Sequence, residues 1–399
     1  MSDGHPSVNG IRLRMTRQAH GFSQQMVADM AGVSRQAISA IESGISDPSL
    51  RVGIALSRAL GLTVEELFGT DDTVVPVAAR EVAPLGGTGA RVTLALVGDG
   101  HVALPLRGET VSRAGFLPAG GLVAETGKDR GRQTRTVRPI QPPRPTLVAA
   151  GCDPALPLLE APLGLLDPPV GFTWWPCPSR EALALAAEGL VHVAGTHLRG
   201  PRSEYNIGPA AEMLPRGGQV IGFCSWQEGL ALTPGLAGGI SGVGDAARRG
   251  LRLVNREPGA EARSVLDREL ASAGIDASQL PGYSTQVTGH LEVAAAIAAG
   301  LADAGIASEP AALAYGLAFL PLTAEHFDLV LPAEHAGTRE VQSLLKVLSS
   351  VWLLAQLASL PGYDPARCGE QIAALPPRPQ RAPRTLAQHS SQPRPDHKK

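Results

Sequence analysis

At 399 residues the chain exceeds one ordinary domain, and its 44% apolar content is enough to fill two or three separate cores. A formal net charge of −2 excludes binding to nucleic acid or membrane through an overall field, so any such role must be local. The four cysteines (Cys152, Cys177, Cys224 and Cys368) lie far apart with no C-x-x-C pair, which excludes a zinc finger or disulfide scaffold and fits a reducing cytosol.

Residues 8–69 are predicted to be helical with short breaks. In "FSQQMVADMAGVSRQAISAIESGISDPS", Ser23 is placed to cap a helix running to about Met30. Gly32 supplies a left-handed turn, and Ser34 caps a second helix from Arg35 to Glu42. Val27, Ala28, Ala31, Val33, Ile38 and Ile41 form the inward set of this pair, and small Ala28 permits close approach. Pro48 opens a third helix buried by Leu50, Ile54, Leu56 and Leu60. The arrangement is a helix-turn-helix.

A linker is expected from Thr70 to Glu81. Residues 82–125 read as a small β-rich connector, with a hairpin of Val92–Val97 and Val102–Leu106 around Gly98-Asp-Gly100. The Arg- and Pro-rich stretch 128–145 is expected to be an extended linker. From Thr146 to about Tyr363, strands alternate with helices, which implies a parallel α/β sheet. Residues 375–399 are Pro-rich and basic and are expected to be disordered.

The motif S-Q-x-x-V-A-x-x-A-G-V-S-x-x-x-I-S-x-I-E-x-G, ending in "LGLTVEELF", resembles the phage-repressor (Cro-like, XRE) family over about residues 10–69. The resemblance implies that the second helix enters the DNA major groove. Ser34, Arg35, Gln36 and Ser39 would then meet base edges, and Ser23, Gln24 and Arg17 would position the phosphates. One such unit binds weakly, so a homodimer or higher homo-oligomer is expected, a dimer reading half-sites about 34 Å apart.

In the α/β region, four loops join a strand to a helix start, where free amide N–H groups favour anions. They are Gly151-Cys-Asp-Pro154, Pro178-Ser-Arg180, "NREPGAEAR" at 255–263, and Thr288-Gly-His290. Together with "VHVAGTHL", "WQEGLALTPG" and "LAFLPLTAEHFDLVLP", these segments resemble the periplasmic-binding-protein-like domain of the molybdate-binding type, over about residues 146–365. That resemblance implies two α/β lobes, 146–222 with 318–365 and 223–317, with hinge strands near Phe223–Leu230 and Ala318–Leu322. It further implies a small oxyanion effector such as molybdate or tungstate in the cleft.

Candidate contacts are Cys152, Asp153, Ser179, Arg180, Thr196, His197, Arg256, Gly259, Arg263, Thr288 and His290. The family's turn usually reads N-R-x-x-G-[ST]-G-T-R, and this chain has Ala260, Glu261 and Ala262 in place of two hydroxyls and a glycine. Arg256 and Arg263 either compensate or pair with Glu257 and Glu261. Plainer roles are open too: Ser179 and His290 as helix caps, Cys152 and Cys224 as small buried apolar residues.

No Ser-His-Asp order, P-loop, H-E-x-x-H or paired-carboxylate motif supports an enzyme, and no cofactor or metal is expected. The opening MSDGHPSVNG lacks a signal pattern and no apolar run reaches the roughly 20 residues of a membrane span, so a cytoplasmic regulator is expected. The alternative is a constitutive DNA-binding protein whose second domain has lost its ligand and serves for oligomerisation.

Overall fold

The computed structural model describes residues 8–68, 75–108, 115–125, 134–140, 144–199, 205–236 and 238–378, apart from the side chains of Val8, Asn9, Ile11 and Glu125. The described chain divides into two compact units, one with the helices and most of a small barrel, the other with a large mixed sheet.

The helical unit comprises α1 (Val8–Ala19), α2 (Gln24–Ala31), α3 (Arg35–Glu42), α4 (Leu50–Leu60) and α5 (Val64–Phe68). Ser23, Ser34 and Ser49 cap α2, α3 and α4, their hydroxyls accepting from the N–H of Met26, Ala37 and Val52. The third cap lies one residue beyond the Pro48 predicted to open that helix. Gly32, at φ 66, makes the left-handed turn between α2 and α3. Leu13, Val27, Ala28, Ile38, Ile41, Leu56, Leu60 and Leu67 form the buried core.

Strands β1 (Val77–Glu81), β2 (Arg91–Val97), β3 (Gly100–Pro105), β4 (Gly121–Glu125) and β5 (Thr134–Pro139) close into a barrel in the order β1-β3-β2-β4-β5. The β2–β3 hairpin lies where it was predicted. Both flanking linkers were not: β1 falls inside 70–81 and β5 inside 128–145. The sequence of β5, Thr-Arg-Thr-Val-Arg-Pro, buries Arg135, Val137 and Pro139 on alternate positions. That period-two pattern outweighs the Arg and Pro content, because closure against β1 and β4 satisfies the strand's backbone on both sides. Residues 126–133 of the expected linker lie outside the described residues.

The second unit follows as β6 (Thr146–Ala150), α6 (Glu160–Gly164), β7 (Gly171–Trp175), α7 (Ser179–Ala187), β8 (Val193–Thr196), α8 (Ile207–Met213), β9 (Gly218–Leu232) and α9 (Val243–Arg248). It continues with β10 (Leu253–Arg256), α10 (Glu261–Ser272), β11 (Gln286–Val287), α11 (His290–Ala298), β12 (Ala304–Ser308) and α12 (Glu309–Ala314). Last come β13 (Ala318–Pro332), α13 (Arg339–Leu348), α14 (Val351–Ser359) and β14 (Gln371–Leu375).

The sheet order is β11-β10-β12-β9-β13-β8-β6-β7, with β14 also on β9. The strands at the two ends are parallel, as predicted, but β9 and β13 are long and antiparallel to each other and to their flanking strands β12 and β8. They run through both lobes, so they extend well beyond the short hinge segments expected. The unit extends past its expected end at about 365: β14 pairs with β9 and buries Leu375, the first residue of the expected tail. Residues 379–399 lie outside the described residues.

Each lobe packs its own apolar set. One contains Leu147, Leu156, Phe223, Phe327, Leu344 and Leu353. The other has Leu230, Leu253, Leu266 and Ile306 on one sheet face and Val254, Val293 and Ile297 on the opposite one. Among the described residues, no single helix is long and apolar enough to cross a membrane.

Gly229 sits where β9 passes β13 and β12. An added Cβ would meet the Leu320 carbonyl oxygen, Phe319 Cζ at 2.8 Å and Pro321 Cα at 2.9 Å. Gly229→Ala is therefore expected to destabilise this unit by about 1–3 kcal/mol, measured by urea denaturation, because backbone atoms must shift. An unchanged midpoint would contradict this packing.

Candidate functional site

On α3, Ile38, Ile41 and Glu42 are buried, and Ser34, Arg35, Gln36 and Ser39 are exposed. The four residues expected to meet base edges thus share an outward-facing surface on one amphipathic helix. Arg17 is placed differently from the sequence expectation. It is only 9% exposed; its Nε and Nη2 donate to Glu42 at 2.6 and 3.0 Å, and its Nη1 donates to the Phe22 carbonyl. Gln24 Nε2 also donates to Glu42, at 2.9 Å. Arg17 is a buried tie between α1 and α3 rather than a group extended to a phosphate. Desolvation pushes the Glu42 carboxyl up, but the Arg17 and Gln24 hydrogen bonds outweigh it and hold the carboxyl below its ordinary value.

In the two-lobed unit, candidate ligand residues converge from the carboxyl ends of four strands. Cys152 follows β6, Thr196 and His197 end β8, Arg256 ends β10, and Ser308 ends β12. His290 opens α11, and its Nδ1 accepts the Ser308 N–H at 3.2 Å. Polar atoms of Cys152, His197 and His290 lie within 4.8 Å of one another. The rings of His197, His290 and Trp226 pack at centroid distances of 5.1–5.7 Å. Of these residues, Cys152 is the most exposed, at 6%.

Several polar atoms in this cluster have no hydrogen-bond partner among the described residues: Thr196 Oγ1, His197 Nδ1, Arg256 Nη1, His290 Nε2, Ser308 Oγ, and both carboxylate oxygens of Glu228 and Glu325. Buried polar groups ordinarily find partners, so a concentration of unsatisfied ones marks a place built to receive something.

Cysteine with two histidines suggests a metal by composition. The hydrogen bonding opposes it. Because Ser308 N–H occupies the lone pair of His290 Nδ1, the neutral ring carries its proton on Nε2. His290 therefore offers an N–H donor, not a metal ligand. Burial, then Arg256 and His197, pushes its pKa well down, so the ring stays neutral. Burial likewise brings His197 down to about 3 and pushes the Cys152 thiol up to about 12, leaving a protonated S–H.

The long helices starting at this cluster, α7, α10 and α11, have no side-chain cap hydrogen bond. Helices α2, α3, α4, α13 and α14 are capped by Ser or Thr. Ser179 is accordingly not a cap: its hydroxyl accepts the His197 N–H at 3.1 Å and joins the loops that follow β7 and β8.

The "NREPGAEAR" turn resolves the choice left open by its sequence. Arg256 Nε and Nη2 bind Glu257 at 2.7 and 2.9 Å. Glu261 pairs with Arg268, while Arg263 donates to the Arg256 carbonyl and lies over the Tyr283 ring. Arg256 keeps only Nη1 unpartnered. Ala260 and Ala262 are buried, at 3% and 1%, and Gly259 is exposed at φ 92.

Other expected contacts do not join the cluster's unpartnered set. Asp153 uses both carboxylate oxygens within the protein, accepting from Ala155 N, Tyr363 OH, Trp226 Nε1 and Cys224 Sγ. Arg180 is exposed, and Thr288 is half-buried.

Sequence reasoning missed Glu228 and Glu325. Both are fully buried on the central strands, Glu228 opposite Ser308 and Glu325 opposite Trp226. Desolvation raises both carboxyl groups, Glu325 to about 7 even with Arg199 Nε 3.6 Å away. The signal was present as acids within largely apolar strand patterns, Glu228 in β9 and Glu325 with Asp328 in β13.

A helical DNA-binding-type unit followed by a two-lobed binding-type domain defines the class. Residues 13–67 match the helix-turn-helix family model, and residues 163–349 match the model of a PBP superfamily domain. The uncharacterized HTH-type transcriptional regulator MJ0272 of Methanocaldococcus jannaschii is 38% identical over 61 residues, 15% of this chain and 92% of that protein. The uncharacterized protein YvgK of Bacillus subtilis is 33% identical over 144 residues, 36% of this chain, and the match spans only 46% of YvgK. Among solved structures, the tungstate ABC transporter from Geobacter sulfurreducens aligns with a TM-score of 0.41 and 12% identity over 53% of this chain and 97% of that one. Likeness at that level says nothing about a ligand. The chain belongs to the helix-turn-helix transcriptional regulators and carries a PBP superfamily domain behind its helical unit.

Two outcomes follow from the electrostatics. Glu42→Ala strands the buried Arg17 charge and is expected to cost about 3–5 kcal/mol in the helical unit's unfolding transition, followed by circular dichroism. A loss under about 1 kcal/mol would mean that the pair is solvated as a surface one. For Glu325, the raised folded pKa means that its contribution is present at low pH and lost as pH rises from 4.5 through about 7. The stability difference between Glu325→Gln and the native chain should therefore shift in the variant's favour across that window. A difference independent of pH would contradict the raised carboxyl of buried Glu325.

Proposed function

We propose that this protein is a one-component transcription regulator whose α3 reads a DNA operator and whose cleft binds a small anionic effector that alters operator affinity. The observation that carries the effector half is the buried set of unpartnered donors, Arg256 Nη1, His290 Nε2 and Thr196 Oγ1, joined by the Cys152 thiol and by three helix starts without side-chain caps. The DNA half is supported by the family match over residues 13–67 and by the exposed Ser34, Arg35, Gln36 and Ser39 on α3. Arg35 and Gln36 are suited to bidentate contacts with guanine and adenine. Gln24 and Ser23 lie at the start of α2, where a phosphate would sit.

The reading includes a homodimer, since one helix pair contacts few base pairs, and a cytoplasmic protein that catalyses no reaction. Molybdate or tungstate is the family expectation. It is weakened here by buried Ala260 and Ala262, which leave hydroxyl donors out of the second-lobe turn. The same observation favours the second reading, a constitutive DNA-binding protein whose cleft has lost its ligand.

Arg35→Ala combined with Gln36→Ala should lower affinity for a selected operator by about a hundredfold or more in gel shift, with the melting profile unchanged. Undiminished operator affinity would refute the assignment of α3. A melting temperature unmoved by a panel of inorganic and organic anions would favour the constitutive reading.

A further inference from the structure

The buried cluster contains more than anion donors. Glu228 is completely buried on β9, and neither of its carboxylate oxygens has a hydrogen bond or an ion pair among the described residues. Its register partner on β12 is Ser308, whose N–H donates to His290 Nδ1 and so fixes the proton on His290 Nε2. An acceptor without a donor and a donor without an acceptor thus stand on adjacent, linked positions.

The surrounding charges sharpen the asymmetry. Glu257 holds Nε and Nη2 of Arg256 and leaves Nη1. On β13, Glu325 is 4.0 Å from His197 Nδ1 and 3.6 Å from Arg199 Nε, and its oxygens also lack a hydrogen bond. A bare oxyanion would satisfy Arg256 and His290 but would meet Glu228 with oxygen against oxygen. An O–H or N–H on the ligand would give the Glu228 oxygens the donor they lack.

We infer that the effector is an anion that carries its own hydrogen-bond donor. Its acceptor oxygens take Arg256 Nη1 and His290 Nε2–H, and its own O–H or N–H donates to Glu228. This inference rests on the sensing role proposed for the cleft and narrows it. Two chemical sources share these properties: a tetrahedral oxyanion that retains a proton near neutrality, and a small carboxylate bearing a hydroxyl.

Two matched pairs separate a donor-bearing anion from its donor-free counterpart. Inorganic phosphate and sulfate have nearly the same shape, and only phosphate keeps a proton at pH 7.5. Glycolate and acetate differ by one hydroxyl. Isothermal titration of the full chain with each of the four, and with molybdate, should show one donor-bearing anion favoured over its counterpart by about a hundredfold or more. Which pair shows the preference identifies the source. In Glu228→Gln the side-chain amide can donate as well as accept, so the preference should collapse to about threefold or less. Unchanged circular dichroism and melting behaviour establish that this variant is folded.

Sulfate or acetate binding as tightly as its partner, or a preference that survives in Glu228→Gln, would overturn the inference. So would binding by none of the four. If molybdate alone binds and alters operator affinity, the sensing role stands and this inference fails. If no anion binds and none alters operator affinity, both fail.

Discussion

The two-lobed unit depends on one constraint: the antiparallel ladder between β9 and β13. Each strand runs fifteen residues, and together they hold both lobes. At one end β14 and β8 complete the sheet, and at the other β12 does. Register is therefore set once, in the middle, and inherited by both lobes. The ladder is irregular between Pro321 and Thr323 and again between Phe327 and Asp328. Such bulges increase local twist and are natural points for a hinge. Close backbone approach at Gly229 belongs to the same geometry.

That ladder also explains the chemistry of the cleft. A strand that passes from one lobe core into the other must bury whatever it carries at the crossing. In β9 and β13 the crossing residues include Trp226, Glu228 and Glu325. Acids held there without hydrogen bonds among the described residues are costly, and a partner that donates would recover that cost. Arg256 and His290 are held at the end of β10 and the start of α11 by Glu257 and the Ser308 N–H. The site is amphoteric because its two sides come from different parts of the fold: central strands supply acceptors, and strand ends with helix starts supply donors. A closing motion about the ladder would bring both sides onto one ligand.

The local signals were the most legible. The caps at Ser23 and Ser34, the left-handed Gly32 and the inward set of α2 and α3 each rest on neighbouring residues, and the sequence contains them whole. The four strand-to-helix loops were visible for the same reason. Less legible was everything that depends on closure over distance. Strand β5 looked like linker because its Arg and Pro content says nothing of β1, more than fifty residues away. The partners of Arg17 were hidden because only the fold brings Glu42 to it. Glu228 was overlooked because a buried, unpartnered acid contradicts ordinary strand patterning, and such contradictions tend to mark functional positions.

If effector and operator act on one equilibrium, their effects must be reciprocal. The most direct test is calorimetric titration of the effector into the full chain, free and bound to its operator. The account predicts that effector affinity changes on operator binding, by the same factor by which saturating effector changes operator affinity. An effector affinity identical in the free and operator-bound protein would contradict it and leave the two units as independent binders on one chain.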